Sequence, residues 1–151
     1  YSLYMKNYIS KNFKIAFGQH SGIIDINKDK FELPRFPINE KYGELKRFKS
    51  IINYYPLEYK NLSPSEKQLT INNNPPNFKV EFFKEQKNLS NITCYSNEGD
   101  KWDKSKTNLS NQILTIEFRE PFKPRRGRIN CSLNDNGKWR WFGVQFPIKK
   151  N

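Results

Sequence analysis

Beyond residue 77 the hydrophobic positions follow a two-residue period, which is typical of β-strands with one buried face. The pattern predicts five short strands separated by polar segments that contain turn residues. Their alternating apolar positions are Phe78, Val80 and Phe82; Ile92 and Cys94; Leu114, Ile116 and Phe118; Ile129, Cys131 and Leu133; and Phe142, Val144, Phe146 and Ile148. Strands of this number and length indicate an antiparallel β-sandwich of the immunoglobulin-like class over residues 78–151.

The last two strands can be aligned from the sequence, because Asn136-Gly137 is a strong signal for a two-residue hairpin turn. Counting outward from this turn places the apolar faces of both strands on the same side, with Cys131 opposite Phe142. Trp139 and Trp141 therefore project from the other face. An outward pair of indole rings can stack on a sugar, and it can equally be covered by another part of the chain. Both tryptophans are candidate substrate-binding residues.

Before residue 57 the periodicity changes to that of a helix followed by a strand. Residues 2–12 carry aromatic and aliphatic side chains at helical spacing, and residues 13–17 alternate before stopping at a glycine. The next five residues, Gly-Gln-His-Ser-Gly over 18–22, form a polar loop that holds the only histidine, His20. The two glycines permit a tight turn beside a ligand.

A second helix and a linker are predicted between this loop and the strands. Residues 31–38 contain two prolines, which suit an edge strand or an extended crossing. Asn39 is a candidate N-cap for a helix whose apolar stripe continues to Tyr55 and stops before Pro56. Residues 58–77 are rich in Asn, Ser, Lys and Pro, which is typical of a linker.

The charge of the chain leaves several partner classes open. A formal net charge of +12 favours a polyanion such as nucleic acid, anionic lipid or acidic polysaccharide, whereas an abundance of lysine on solvated faces accounts for the same number. Nucleic acid is disfavoured, because the aromatic residues follow alternating strand positions and do not interleave with arginines. No apolar run approaches the roughly 20 residues of a membrane span, so none is predicted.

The two cysteines, Cys94 and Cys131, occupy inward positions of their predicted strands. They are too few for a disulfide scaffold and have no CxxC spacing for a metal site. Because both sulfurs point into the same core, we expect a disulfide between them; two reduced, buried thiols are the alternative. A disulfide fits an oxidising compartment, in the periplasm, the cell envelope or outside the cell.

Two stretches carry a resemblance to a known family. The run AFGQHSGII, followed by LPRFPINEKYG and a helix, resembles the last strand, loop and helix of the NodB-type polysaccharide deacetylases of bacteria. The closing run RGRINCSLNDNGKWRWFGVQF resembles the β-domain that follows the catalytic barrel in some members. The resemblance implies an α/β plus all-β chain: residues 1–57 as the carboxyl-terminal end of a (β/α) deacetylase barrel, 58–77 as linker and 78–151 as the β-sandwich.

The family's chemistry would then be divided between this chain and residues upstream of it. The resemblance implies a divalent metal, zinc or similar, held by one aspartate and two histidines, with a second aspartate as base and a further histidine as acid. This chain has neither an Asp-Asp pair nor paired histidines. The metal ligands are therefore expected upstream, and this chain alone is expected to bind no metal and to be inactive.

The resemblance also assigns expectations to two residues of the amino-terminal stretch. His20 corresponds to the late histidine that serves as acid, although a hydrogen-bonding role within the loop needs no catalysis. Arg35 is expected to bind substrate or to pair with a carboxylate near the site, and an ordinary salt bridge is the simpler interpretation. The leading interpretation is thus part of an enzyme that removes acetyl groups from a cell-envelope or extracellular polysaccharide. The alternative is a non-catalytic carbohydrate-binding module.

Overall fold

The computed structural model describes residues 2–123 and 125–149, and for Asp100 it describes the backbone only. The ends of the predicted domains at Tyr1 and at residues 150–151 lie outside the described residues, as does Pro124. The described chain contains helices α1 (Leu3–Asn12) and α2 (Leu45–Ile51). Its strands are β1 (Tyr55–Pro56), β2 (Asn61–Ser63), β3 (Lys79–Glu81), β4 (Thr93–Ser96), β5 (Asp103–Lys104), β6 (Lys106–Ser110), β7 (Ile113–Glu117), β8 (Arg126–Asp135) and β9 (Lys138–Pro147).

The strands form two sheets. One is a five-stranded mixed sheet in the order β1-β9-β8-β4-β5, in which β1 runs parallel to β9 and the other neighbours are antiparallel. The other is a four-stranded antiparallel sheet in the order β2-β3-β7-β6. None of the helices in the described ranges is long and apolar enough to cross a membrane. The described protein is therefore mostly β, with two helices and two sheets.

A single hydrophobic core joins the two sheets. Val80 and Leu114 of the four-stranded sheet, and Ile129 and Phe146 of the five-stranded sheet, are fully buried in it. The rings of Phe78 and Phe146 meet edge to face, with their centres 6.2 Å apart. Every position of the predicted two-residue period is buried or packs against this core. The prediction that the region beyond residue 77 is built from strands with one buried face is confirmed.

The predicted hairpin is present with the predicted register. Strands β8 and β9 are joined at Asn136 and Gly137, whose φ angles of 52° and 85° suit the tight turn. Cys131 lies opposite Phe142, and Trp141 projects from the other face. Cys94 on β4 is the direct neighbour of Cys131 on β8, with Cα atoms 4.1 Å apart, and the two are joined in a disulfide.

The predicted remnant of a deacetylase barrel is wrong, because the described residues form no barrel. Residues 13–17 do not form a strand of a sheet; Phe17 makes a single isolated bridge with Leu33. The alternating side chains Phe13, Ile15 and Phe17 are 61%, 52% and 54% exposed, so no second layer covers them within the described chain. An alternating run becomes a strand of a sheet only where a neighbour supplies its hydrogen bonds.

The second helix is shorter than its apolar stripe predicts. It begins after Glu44, and Asn39 instead accepts a hydrogen bond from the amide of Tyr42 at 3.1 Å, closing a separate turn. The stripe is mostly exposed, with Leu45 at 65% and Ile52 at 60%. Because helices in proteins are stabilised mainly by packing of their apolar face, an unpacked stripe gives only a short helix.

The segment predicted as a linker, 58–77, contributes a strand to the four-stranded sheet and a side chain to the core. It contains β2, which pairs with β3, and Leu69, which is completely buried in the core. Strand β1 just before it pairs with β9. A strand of three residues has no periodicity that a sequence pattern can detect, which is why the composition of Asn, Ser and Pro dominated the prediction. The division of the chain into separately folding domains stays a prediction.

Candidate functional site

The two stretches of the amino-terminal segment that resemble the deacetylase family lie side by side. The amide of Gly18 donates a hydrogen bond to the carbonyl oxygen of Leu33 at 2.8 Å, and the amide of Arg35 donates to the carbonyl oxygen of His20 at 3.1 Å. The polar loop 18–22, called the histidine loop below, is therefore held against the Leu-Pro-Arg segment over 33–35. The sequence separated these stretches by a dozen residues, and their backbones bring them together.

The histidine loop is seated on the five-stranded sheet. A Cβ atom on Gly143 of β9 would overlap the carbonyl oxygen of Ser21, so the loop backbone approaches the strand more closely than a side chain allows. The amide of Leu57 donates to the carbonyl oxygen of Trp141 at 3.1 Å on the same strand. Glycine at position 143 thus permits the contact between the loop and the sheet.

His20 lies at the junction of two cavities and is 9% exposed. The first, called the charged cavity, has a volume of about 300 Å³ and lies between α1, residues 22–34 and β9. The second, called the arginine groove, has a volume of about 710 Å³ and lies between residues 35–42 and strand β8. Both volumes are in the range of ligand sites in proteins.

The charged cavity contains a paired set of charges. Lys6 of α1 forms ion pairs with Asp29 and with Glu32, the latter at 3.0 Å. Burial alone would lower the pKa of Lys6, but its hydrogen bonds to Asp29 and Glu32 raise it. Lys28 donates a hydrogen bond to the carbonyl oxygen of Tyr59, and its ammonium lies 4.1 Å from the centre of that ring. These contacts tie α1 and residues 25–32 to the segment before β2.

Burial lowers the pKa of Lys28, and it shifts the pKa values of three other groups of the charged cavity. Burial lowers the pKa of Lys67 to about 8, with the nearby positive charge of Lys6 adding to the effect and Glu32 opposing it. Burial raises the pKa of Tyr59 to about 12, and the carboxylates facing it act in the same direction. Burial also lowers the pKa of His20, and Lys67 adds to the effect while Glu32 opposes it. His20 is consequently a neutral imidazole at pH 7.

The arginine groove differs from the charged cavity in the sign of its charges. Arg35, Arg126 and Arg128 line it, and among the residues whose side chains the structure describes no carboxylate does so. Nη1 of Arg126 donates to the side-chain oxygen of Gln19 of the histidine loop at 2.9 Å. The guanidinium of Arg128 lies over the ring of Trp102, 5.2 Å from its centre.

Three buried side-chain atoms of the described residues have no hydrogen-bond partner. They are Nε of Arg128, Nε1 of Trp141 and Oε1 of Gln145. Buried polar groups are normally hydrogen-bonded, so these three atoms are exceptions among the described residues. One of the three, the Arg128 atom, belongs to a side chain that lines the arginine groove.

The predicted site residues are brought together in part. His20 lines both cavities, Arg35 the arginine groove and Trp141 the charged cavity, all within one region of the molecule. Trp141 is covered, because the ring of Tyr54 stacks on it with centres 6.1 Å apart. Phe36 packs edge to face against the same indole at 5.8 Å.

Trp139 lies apart from both cavities and is 45% exposed. The two tryptophans therefore do not form one continuous platform, because only Trp139 keeps an open ring. Arg35 has no ion pair with a carboxylate of the described residues. Its predicted substrate contact stays a prediction, as do those of the tryptophans.

The described residues do not fit the metal site that the resemblance implies. No three His, Cys, Asp or Glu side chains of the described chain are grouped so as to hold a metal ion. The charged cavity does bring Asp29 and Glu32 together, but Lys6 neutralises both. The described residues therefore supply no metal site from which metal-dependent hydrolysis can be derived.

Several residues of the two cavities were not predicted as site residues. Lys67 belongs to the segment assigned to a linker, and Trp102 lies in a stretch without a predicted strand. Arg126 and Arg128 belong to the basic run over 119–128, whose charge suits phosphate or uronate, but a single basic loop in the sequence is weak evidence of a site. The alternation of Arg126, Arg128 and Asn130 along one strand face was the available signal.

Comparisons with known proteins do not extend this description. No family model matches the chain, and no curated protein and no solved structure matches it significantly.

Proposed function

We propose that this chain binds polysaccharide as the carboxyl-terminal part of a polysaccharide deacetylase, with the metal ligands supplied by residues upstream. The observation that carries the proposal is the position of His20. The two stretches that resemble the family, AFGQHSGII and LPRFPINEKYG, pair through their backbones around His20, where two cavities meet.

The exposed apolar surface of residues 2–57 also supports the proposal. Tyr4 and Tyr8 on α1 are 82% and 62% exposed, Phe13 is 61% exposed, and the stripe of α2 is open as well. Exposed apolar patches usually mark a surface that contacts another protein, a ligand or a membrane. We propose that residues upstream in the same polypeptide cover it and place their metal site beside the histidine loop.

In this proposal His20 contacts the substrate as a neutral hydrogen-bonding group. Its lowered pKa leaves it uncharged at pH 7, so it can donate one hydrogen bond and accept another from a sugar hydroxyl or an acetamido group. Service as general acid requires a proton on the imidazole, which carboxylates of an upstream metal site would favour. Substitutions of His20 test whether it acts as a catalytic acid or only as a hydrogen-bonding group.

The strand order supports an immunoglobulin-like β-sandwich as the finer fold. In that fold one sheet has the order A-B-E-D and the other contains G-F-C; β2-β3-β7-β6 and β9-β8-β4 follow the same sequence of connections. The disulfide joins the neighbouring strands β4 and β8 within one sheet. A disulfide is compatible with the periplasm, the cell envelope or the extracellular space, where we place the protein.

A second candidate function is a non-catalytic carbohydrate-binding module. Trp102 and Tyr42 both line the arginine groove and are 42% and 40% exposed, so sugar rings have access to aromatic surfaces without any upstream residue. Aromatic rings combine a large apolar face with a small loss of conformational freedom on binding. This candidate predicts binding of oligosaccharide by the chain alone and no acetate release in any context.

Acetate release from chitotetraose distinguishes the two candidates. We expect a natural polypeptide that contains this chain and the residues upstream of it to release acetate in the presence of zinc, and this chain alone to release none. We expect His20→Asn to retain turnover within about tenfold, because an amide replaces the hydrogen bonds of a neutral imidazole. His20→Ala is expected to raise KM.

Two results would change this assignment. A loss of about two to four powers of ten in turnover for both His20 variants, with unchanged zinc content, would make His20 the general acid. Absence of acetate release by the longer polypeptide with zinc bound, from chitotetraose and from an acetylated acidic oligosaccharide alike, would exclude the deacetylase and leave the binding module.

A further inference from the structure

The arginine groove has an excess of positive charge that the fold leaves uncompensated. Arg35, Arg126 and Arg128 converge on it, and none of the three forms an ion pair with a carboxylate of the described residues. In the charged cavity, on the other side of His20, Lys6 is paired with two carboxylates. Charges of one sign in a partly enclosed groove repel one another more strongly than they do in water.

Arg128 carries the clearest sign of a missing partner. Its Nε is buried and has no acceptor among the described residues, although each guanidinium has five N–H groups to satisfy. Burial and the neighbouring charge of Arg126 both lower its pKa, so its position is unfavourable for a cation without an anion nearby. Because Arg128 lines the groove, an anion bound there would offset the cost of burying its positive charge.

The remaining walls of the groove suit a sugar rather than a bare ion. Trp102 and Tyr42 expose aromatic surface, while Asn130 and Ser21 supply polar atoms. The volume of about 710 Å³ is far larger than sulfate or acetate requires. Guanidinium groups bind carboxylate, sulfate and phosphate through two parallel hydrogen bonds, which gives geometry as well as charge.

We propose that the arginine groove binds the anionic groups of an acidic polysaccharide, with Arg126 and Arg128 holding the acid group and Trp102 contacting the sugar ring. The inference rests on the proposed function in taking a polysaccharide as ligand, and it adds the class of that polysaccharide. A uronate carboxylate and a sulfate ester share the required chemistry. Nucleic acid is disfavoured, because the two exposed aromatic rings lie in a short groove and form no extended stacking platform.

The experiment compares two oligosaccharides with the same backbone. Cellotetraose is neutral, and the corresponding β-1,4-linked tetraglucuronate carries a carboxylate on each sugar; cellotetraose 6-sulfate serves as the sulfate ester. Each is titrated into the complete chain in an isothermal calorimeter at low and at high salt. We expect the two acidic ligands to bind at least about tenfold more tightly than cellotetraose at low salt, and the difference to shrink at high salt.

Arginine variants localise the effect. Arg126→Gln, Arg128→Gln and Arg35→Gln should each weaken binding of the acidic tetrasaccharides, by about tenfold for the first two, and should weaken binding of cellotetraose less. Arg35 is exposed, so its substitution tests the groove without risk to folding. Arg125→Gln is the matched control, because it removes the same charge from an exposed neighbour that does not line the groove.

Four outcomes would overturn the proposal. Equal affinity for neutral and acidic tetrasaccharides would show that the groove binds saccharides without any preference for acidic ones. An equal loss of affinity for the acidic tetrasaccharides in Arg125→Gln would show that the preference depends only on the net charge of the protein. Binding of a single-stranded oligonucleotide of equal charge as tightly as the tetraglucuronate would indicate a general polyanion surface. Absence of binding by every tetrasaccharide would reject the groove as a saccharide site, while acetate release by the longer polypeptide would still test the deacetylase independently.

Discussion

Lys67 is an ammonium group in a position that disfavours a charge. It is 7% exposed, its amine donates a hydrogen bond to the carbonyl oxygen of Pro64, and it lies over the ring of Phe146. Burial lowers its pKa from 10.5 to about 8, which means that folding is less favourable with the proton on than with it off. An anionic ligand in the charged cavity, or loss of the positive charge of Lys67, would remove this cost to folding.

Replacing Lys67 with Met should therefore stabilise the protein at pH 7. We expect the free energy of unfolding to rise by about 1–3 kcal/mol, since one pKa unit corresponds to about 1.4 kcal/mol and the lost hydrogen bond offsets part of the gain. Between pH 8 and 10.5 the unfolded wild-type chain holds the proton that the folded chain has released, so wild-type stability rises with pH there.

The difference between Lys67→Met and wild type should consequently narrow between pH 7 and pH 9.5. Urea unfolding of both proteins at the two pH values measures this difference in stability. Tyr59 is present in both proteins, so its contribution to the pH dependence cancels. Lys79→Met, at an exposed position of β3, serves as control and should change stability little. A Lys67→Met difference that stays constant over this range would show that the lysine is not destabilised by its burial.

At the scale of elements, the contact between the histidine loop and β9 builds the site. The loop has few side chains to bury, and its position is fixed by backbone hydrogen bonds to residues 33–35 and by the close approach at Gly143. This contact separates the charged cavity from the arginine groove. Any side chain at position 143 must displace Ser21 or the side chain of Asn130.

Gly143→Ala should therefore loosen the histidine loop while leaving the sheet intact. We expect a loss of about 1–3 kcal/mol in stability, as for other overpacked sites. Exchange of the Arg35 amide hydrogen, which donates to His20, should become faster by at least about tenfold. Gly137→Ala is the control, because it adds a methyl group where nothing lies within 4 Å and strains only the turn. Unchanged exchange at Arg35 in Gly143→Ala would show that the loop is not held by the strand.

The elements that the sequence predicts are those whose signal is local. The two-residue period, and the Asn136-Gly137 turn that fixes the register of β8 and β9, lie within short stretches of chain. Strand β6 was missed, because its turn to β7 uses Asn111 and Gln112 at φ angles of 48° and 66° in place of glycine. The run 13–17 has a strand pattern but no neighbouring strand, and only the folded chain reveals that.

The sequence predicts those residues of the candidate site that lie in a recognisable motif. It does not predict the residues that only the tertiary structure brings to the site. His20 and Arg35 lie in stretches that resemble a known family, and the structure places both at the cavities. Lys67 and Trp102 arrive from distant parts of the chain. Nothing in a one-dimensional pattern relates residues 30 to 80 positions apart when no secondary-structure period connects them.

At the scale of the whole molecule, charge and apolar surface are distributed unevenly. The core belongs to residues 57–146, whereas residues 2–56 contribute no buried hydrophobic side chain to it. The amino-terminal segment instead contributes one wall of each cavity and an exposed apolar face. This arrangement fits a segment that mediates between the two-sheet core and a further part of the polypeptide.

The histidine loop and the two cavities beside it together form the proposed saccharide site. The most direct test is a titration of the ¹⁵N-labelled chain with chitotetraose, followed by amide and indole NMR resonances. We predict that the largest shift changes occur in residues 18–22 and 33–37 and at the indole of Trp102. Changes centred on the exposed faces of α1 and α2, or none at these predicted positions at millimolar sugar, would contradict the account.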